Sequence, residues 1–267
     1  MSSTERVHRK GRSIDAGTSA AAVVALLHAE DLNAVRAVGK VQGAIARGAE
    51  RIAQALGSGG RLVYAGAGTS GRLGALDAAE CPPTFGTEPQ QVVALIAGGP
   101  GALTRAVEGA EDDARAGRRV VRRLGVGAND VVCGISASGK ARWVRAVLAQ
   151  ARAQGAATIL ICCDPRMARK IPVDLRICPA TGAEVLAGST RLKAGTATKL
   201  VLNALSTAAM ARLGKIEAGR MAALRPTNRK LQKRAVGIIA ELLGVSDAEA
   251  ASRLRKSGDV GRALGRG

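Results

Sequence analysis

The sequence predicts a three-layer α/β protein, a parallel sheet with helices on both faces. Two observations lead there. A strand, a glycine-bearing loop and a helix follow one another twice, first through "RLVYAGAGTSGRLGALDAAE" and again through "DVVCGISASGKARWVRAVLAQ". Short apolar runs also alternate with helical patterns along the middle of the chain, the order that a parallel sheet with crossover helices requires.

At the start, Thr18 or Ser19 supplies an N-cap for an amphipathic helix through Ala20 to Leu27. From Leu32 to Leu56, Val35, Val38, Val41, Ile45, Ile52 and Leu56 recur at helical steps and predict one buried helix face. Gly57 to Gly60 stop that pattern, "RLVYA" reads as a buried strand, and a helix is expected to begin near Gly71. "QVVALIAGG" gives a further strand, and Val131 to Ile135, Thr158 to Cys162 and the short "DLRIC" complete the sheet. Beyond Thr190 one long helical pattern leads to a basic helical end, with two short helices joined at Gly258. The expected division is a helical segment over 1–57, a sheet domain over 58–214 and a helical subdomain over 215–267.

Composition removes several classes of function. The formal charge is +19 with a pI near 11.0, but the arginines are scattered and form neither a basic tail nor a recognition helix, so specific nucleic-acid binding is not expected. Aromatic residues make up 1% of the chain, which leaves no base-stacking platform. Five cysteines without a C-x-x-C pair predict neither a disulfide framework nor a zinc site; small buried packing groups are expected instead. With His8 and His28 alone, a histidine metal centre or triad has no support. The basic stretch and apolar run near the start superficially resemble a secretory signal, yet Asp15 and Ser19 interrupt it, and no run reaches the ~20 apolar residues of a membrane span. The expectation is a cytoplasmic protein without a membrane segment.

The two glycine loops carry the chemistry. Gly66, Gly68 and Gly71 form a G-x-G-x-x-G, but the dinucleotide reading also needs an acid about 20 residues on, at the end of the next strand. Glu88 has the distance and precedes that strand instead. Thr69 and Ser70 within the loop suit a compact phosphorylated group better. In "SASGK", Ser136, Ser138 and the Gly139 backbone can wrap a phosphate monoester, with Lys140 adding charge. Two such loops at neighbouring strand ends point to one sugar phosphate held between them.

"GRLVYAGAGTSGRLGALDAAECPPTFG", "AVEGAEDD", "SASG" and "GSTRLKAGTATKLVLNALSTAAM" together resemble the N-acetylmuramic acid 6-phosphate etherases, members of the sugar isomerase (SIS) domain superfamily. The resemblance runs from Thr4 and Ile14 to the "TNRKL" at Thr227. It implies an SIS domain and a lyase that cleaves the D-lactyl ether, giving N-acetylglucosamine 6-phosphate and D-lactate without metal or organic cofactor. In the ring-opened sugar the C1 aldehyde acidifies the C2 proton. A base removes that proton, an acid protonates the departing lactyl oxygen at C3, and water adds back. By resemblance Glu80 is the acid and Glu111 the second catalytic glutamate, as base, with Glu108 the alternative in the same loop. Apolar surroundings beside Cys81 to Phe85 would desolvate Glu80.

The resemblance further implies sugar-phosphate or lactyl-carboxylate contacts from Ser189, Thr190, Arg191 and Lys193, where Ser189 or Thr190 also suits an N-cap. It implies a contact, or ring opening, by Glu184, and a homodimer working in cell-wall sugar recycling. The chain departs from the family pattern at Val7 to Arg9, Asp164, Ala183, Glu217 to Gly219 and Ala223. Two alternatives stand beside the etherase: a non-catalytic sugar-phosphate-binding regulator and a phosphosugar isomerase.

Overall fold

The computed structural model describes Ser3 and residues 14–224, 226 and 228–265. The sequence features at Thr4, Val7 to Arg9 and Thr227 lie outside them. α1 (Ala20–Gly39) and α2 (Gln42–Gly57) precede the sheet. Ser19 is the N-cap, its Oγ accepting from the Ala22 N–H at 3.2 Å. The helix predicted from Leu32 to Leu56 is divided at Lys40 and Val41, just after Gly39, while α1 runs unbroken through Leu32. Glycine is a poor interior helix former, and the chain turns there. Val35 is also not on a buried face: Val24, Leu32 and Val35 are exposed, and α1 turns Glu30, Ala34 and Ala37 inward. Alanines on that face let the helix seat closely.

β1 (Leu62–Gly66), β2 (Val92–Ile96), β3 (Val131–Ile135), β4 (Ala157–Ile161) and β5 (Leu175–Ile177) form one parallel sheet in the order β2-β1-β3-β4-β5. Successive side chains along each strand point to opposite faces and build two cores. Leu62, Tyr64, Cys133, Ile135, Ile159 and Ile177 pack with α2, α3 (Gly68–Phe85) and α7 (Lys193–Arg212). Val63, Val132 and Leu160 pack with α4 (Ala114–Leu124) and α5 (Arg142–Ala153). Each fully buried aliphatic side chain contributes roughly 1.5–3 kcal/mol, and both layers are needed because the central strands β1 and β3 are buried on both faces.

The amino edge of the sheet is tied by charge. Asp130 accepts from Arg61 Nη2 at 2.7 Å, Arg61 Nε at 3.1 Å, the Arg61 N–H at 2.9 Å and the Gly127 N–H at 3.0 Å. Beside it, Asp174 accepts from the Thr158 N–H and hydroxyl at 2.8 and 2.7 Å. Burial pushes the Asp130 carboxyl up, but the Arg61 hydrogen bonds, the Gly127 N–H and the Arg61 charge outweigh it and hold the group below its ordinary range.

α3 begins at Gly68, three residues before the expected start, and stays helical through Pro82 and Pro83. Both prolines fall in its last turn, where they have no N–H for the carbonyls of Ala78 and Ala79, and Gly86 ends the helix at φ 64°, its N–H on Pro82 O at 3.0 Å. Asp164, a departure from the family pattern, caps the short α6 (Pro165–Ala168) with its Oδ1 on the Arg166 N–H at 2.9 Å.

Past α7 comes a hairpin that periodicity did not predict, β6 (Ile216–Glu217) with β7 (Arg220–Met221). Its turn holds Ala218 at φ 44° and Gly219 at φ 71°. Two positive φ angles in a two-residue hairpin favour Asn-Gly, so alanine is strained there. α8 (Arg229–Leu243), α9 (Asp247–Ser257) and α10 (Val260–Ala263) then pack around Leu231, Ile239, Leu254 and Val260, with the predicted joint at Gly258.

Candidate active site

Three segments converge at the carboxyl edge of the sheet. β1 runs into the first glycine loop, where a Cβ on Gly71 would lie 2.7 Å from Gly66 O and 2.6 Å from Ile96. The missing side chains let α3 start directly on the strand, and Gly68 takes φ 52° at the turn. Ala67 provides no side-chain cap, so first-turn N–H groups of α3 open toward an anion. β3 runs into the second loop: Gly139, at φ 69°, packs against Met167 and Cys162, and the Lys140 N–H donates to Ser138 Oγ at 3.3 Å. Ala137, Cys163 and Ala194 form a small buried cluster that joins this loop to the start of α7. Gly195 faces Thr69 there; a Cβ on it would stand 3.8 Å from Thr69 Cγ2.

Thr69, Ser70, Ser136, Ser138 and Gly139, with the start of α7 that follows Ser189 and Thr190, therefore lie at one edge. Among the described residues the hydroxyls of Thr69, Ser70 and Ser136 have no hydrogen-bond partner. Lys140 and Arg191 are exposed.

Two expected contact residues are committed elsewhere. Glu184 is wholly buried, its oxygens accepting from the N–H groups of Lys193 at 3.3 Å and Ala194 at 3.0 Å. It caps α7 across the intervening loop, in place of Ser189 or Thr190. Burial raises its carboxyl above the ordinary range despite those N–H groups and the Lys193 charge. Lys193 is paired within the chain: its Nζ meets Glu30 of α1, the two side chains 4% and 5% exposed. A buried cation needs a counter-charge, and α1 brings one.

The two catalytic candidates line different hollows. Glu111, in a 3-10 turn over Ala110–Asp112, shares a hollow of about 190 Å³ with Gly68, Arg72 and Glu108. Arg72 holds that loop by donating to Leu103 O and Arg105 O, each at 2.9 Å. Glu80 lies farther down α3, exposed in a hollow of about 380 Å³ between α3 and α7. The burial expected for Glu80 beside the proline pair is not found, because Cys81 and Phe85 turn into the core and Glu80 away from it.

Sequence reasoning missed what floors this second hollow. Asp77 is buried and accepts from Tyr64 Oη at 2.8 Å and Ser206 Oγ at 3.2 Å. Burial raises its carboxyl above the ordinary range although both hydroxyls and Lys199 act to lower it. The one available signal was its spacing of three residues from Glu80 on one helix; the pairing of α3 with α7 was not visible. Cys81, Cys133, Cys162 and Cys163 are buried as packing groups, and burial pushes the Cys81 and Cys163 thiols up to about 12. No group of metal-ligating side chains and no helix long and apolar enough to cross a membrane occurs among the described residues.

A five-stranded parallel sheet with two hydroxyl-lined glycine loops at its carboxyl edge defines a domain of the sugar isomerase (SIS) type. Residues 44–152 match the glucokinase regulatory protein N-terminal SIS domain. The solved phosphoheptose isomerase of Neisseria gonorrhoeae shares the fold, with a TM-score of 0.52 at 21% identity over 72% of this chain and 100% of that one. The N-acetylmuramic acid 6-phosphate etherase of Gloeobacter violaceus is 51% identical over 257 residues, 96% of this chain and 83% of that protein. That of Cutibacterium acnes is 49% identical over 236 residues, 88% of this chain and 78% of that protein. The chain belongs to the N-acetylmuramic acid 6-phosphate etherase family.

Proposed function

We propose that this chain cleaves the D-lactyl ether of N-acetylmuramic acid 6-phosphate, leaving N-acetylglucosamine 6-phosphate and D-lactate. The observation that carries the reading is its membership of the etherase family along 96% of its length. The two hydroxyl-lined loops hold the 6-phosphate. Glu111 takes the C2 proton of the ring-opened sugar, with Glu108 the other carboxylate of that hollow. Glu80 protonates the C3 oxygen as D-lactate leaves, and water then adds to C3 of the unsaturated aldehyde. The setting is cell-wall sugar recycling in the cytoplasm.

The reading includes a homodimer. Glu80 follows Gly68 by 12 positions on α3, about 18 Å at 1.5 Å per residue, which is longer than a hexose 6-phosphate from phosphorus to C3. Glu80 of one chain therefore works on a sugar held by the loops of a second. The exposed Leu76 beside Glu80, and Val24, Leu32 and Val35 on α1, offer apolar surface for that contact.

The test is D-lactate release from N-acetylmuramic acid 6-phosphate by purified protein without added metal. Glu80→Gln and Glu111→Gln are each expected to lower kcat by roughly 10²- to 10⁴-fold with an unchanged melting temperature. Glu108→Gln is expected to stay near the parent rate. Tight binding of the sugar phosphate without any lactate release would sink the enzyme and leave a regulator of the kind named by the matching SIS model.

A further inference from the structure

Departing lactate presents two groups that must be met close together. Its ether oxygen receives the proton from the acid, and its carboxylate is attached to the carbon that bears that oxygen. The cation that receives the carboxylate must then share the hollow of the acid. Arg191, the expected partner, is exposed ahead of α7 and does not line the hollow of Glu80. Lys199 does, with Asn203, Thr84 and Thr207.

Lys199 lies on the second turn of α7 and lines the groove together with Asp77 and Cys81. Its Nζ donates to Asn203 Oδ1, and among the described residues it forms no ion pair. An ammonium has three donors, which leaves two for a ligand. Of the two carboxyl groups in the groove, Asp77 already accepts from Tyr64 and Ser206, and Glu80 is the acid of the proposed reaction.

We propose that Lys199 binds the carboxylate of the lactyl group and so sets the preference of the site for the lactyl ether over the same sugar phosphate without it. The inference rests on the etherase reading. It is tested by calorimetric titration of N-acetylmuramic acid 6-phosphate and N-acetylglucosamine 6-phosphate into Lys199→Met and Lys199→Arg, each in a Glu111→Gln background that slows turnover. A charge-assisted hydrogen bond is worth about 1.5–3 kcal/mol, so Lys199→Met is expected to weaken the lactyl ligand about tenfold to a hundredfold and the other ligand less than about twofold. Lys199→Arg is expected to keep most of the preference. Equal weakening of both ligands, or no weakening of the lactyl one, overturns the proposal. Absent lactate release from the parent protein with the preference intact would instead remove the etherase reading and leave the carboxylate contact standing.

Discussion

At the amino edge of the sheet Asp130 collects hydrogen bonds from Arg61 and Gly127, and Asp174 binds Thr158 twice. At the carboxyl edge, by contrast, the hydroxyls of Thr69, Ser70 and Ser136 have no hydrogen-bond partner among the described residues. The same five strands thus carry a satisfied end and an end with loop hydroxyls that are unpaired among the described residues. On the proposed function, stability and recognition are divided along the strand axis, as is usual where ligands bind outside the carboxyl ends of a parallel sheet.

Breaking the satisfied end has the larger expected effect on folding. Asp130→Ala leaves Arg61 without its counter-charge and is expected to cost about 2–3 kcal/mol in urea unfolding, with activity per folded molecule unchanged. The pH dependence follows from the sign of the shift. Because the folded carboxyl titrates below its unfolded value of about 3.9, its contribution is full above that pH and disappears as pH falls through the folded value. The gap between parent and variant is therefore flat near neutrality and closes in acid.

Changing the open end should do the reverse. Ser136→Ala is expected to weaken sugar-phosphate binding about tenfold, measured by calorimetry, and to shift unfolding by less than about 0.5 kcal/mol. Equal losses of binding and stability would erase the distinction between the two edges. The smallest effect lies away from both. Ala218→Gly relieves the positive φ of the β6–β7 turn and is expected to raise stability by about 0.5–1 kcal/mol in thermal unfolding without changing binding.

How much of this was legible in the sequence depended on distance along the chain. Strands such as Val131 to Ile135 announce themselves locally, since a strand buried on both faces is a short unbroken apolar run. The glycine loops are local as well, because Gly66 and Gly71 are required within one turn. The hollow of Glu80 was hidden: it needs Asp77 and Ser206, 129 residues apart, to meet across two helices. The ion pair of Lys193 was hidden for the same reason, its partner Glu30 lying 163 positions away. At the break near Gly39 the apolar spacing continued in phase through the junction, so periodicity had no means of marking it.

That long-range pair also orders events during synthesis. α1 seats Ala34, Ala37 and Glu30 against α7, so the surface it needs leaves the ribosome only after another 163 residues have been joined. At 5–20 residues per second the wait is on the order of 10 to 30 s. Of the described helices α1 is made before the others, and its contact with α7 can form only once the five strands that lie between them in sequence have been translated.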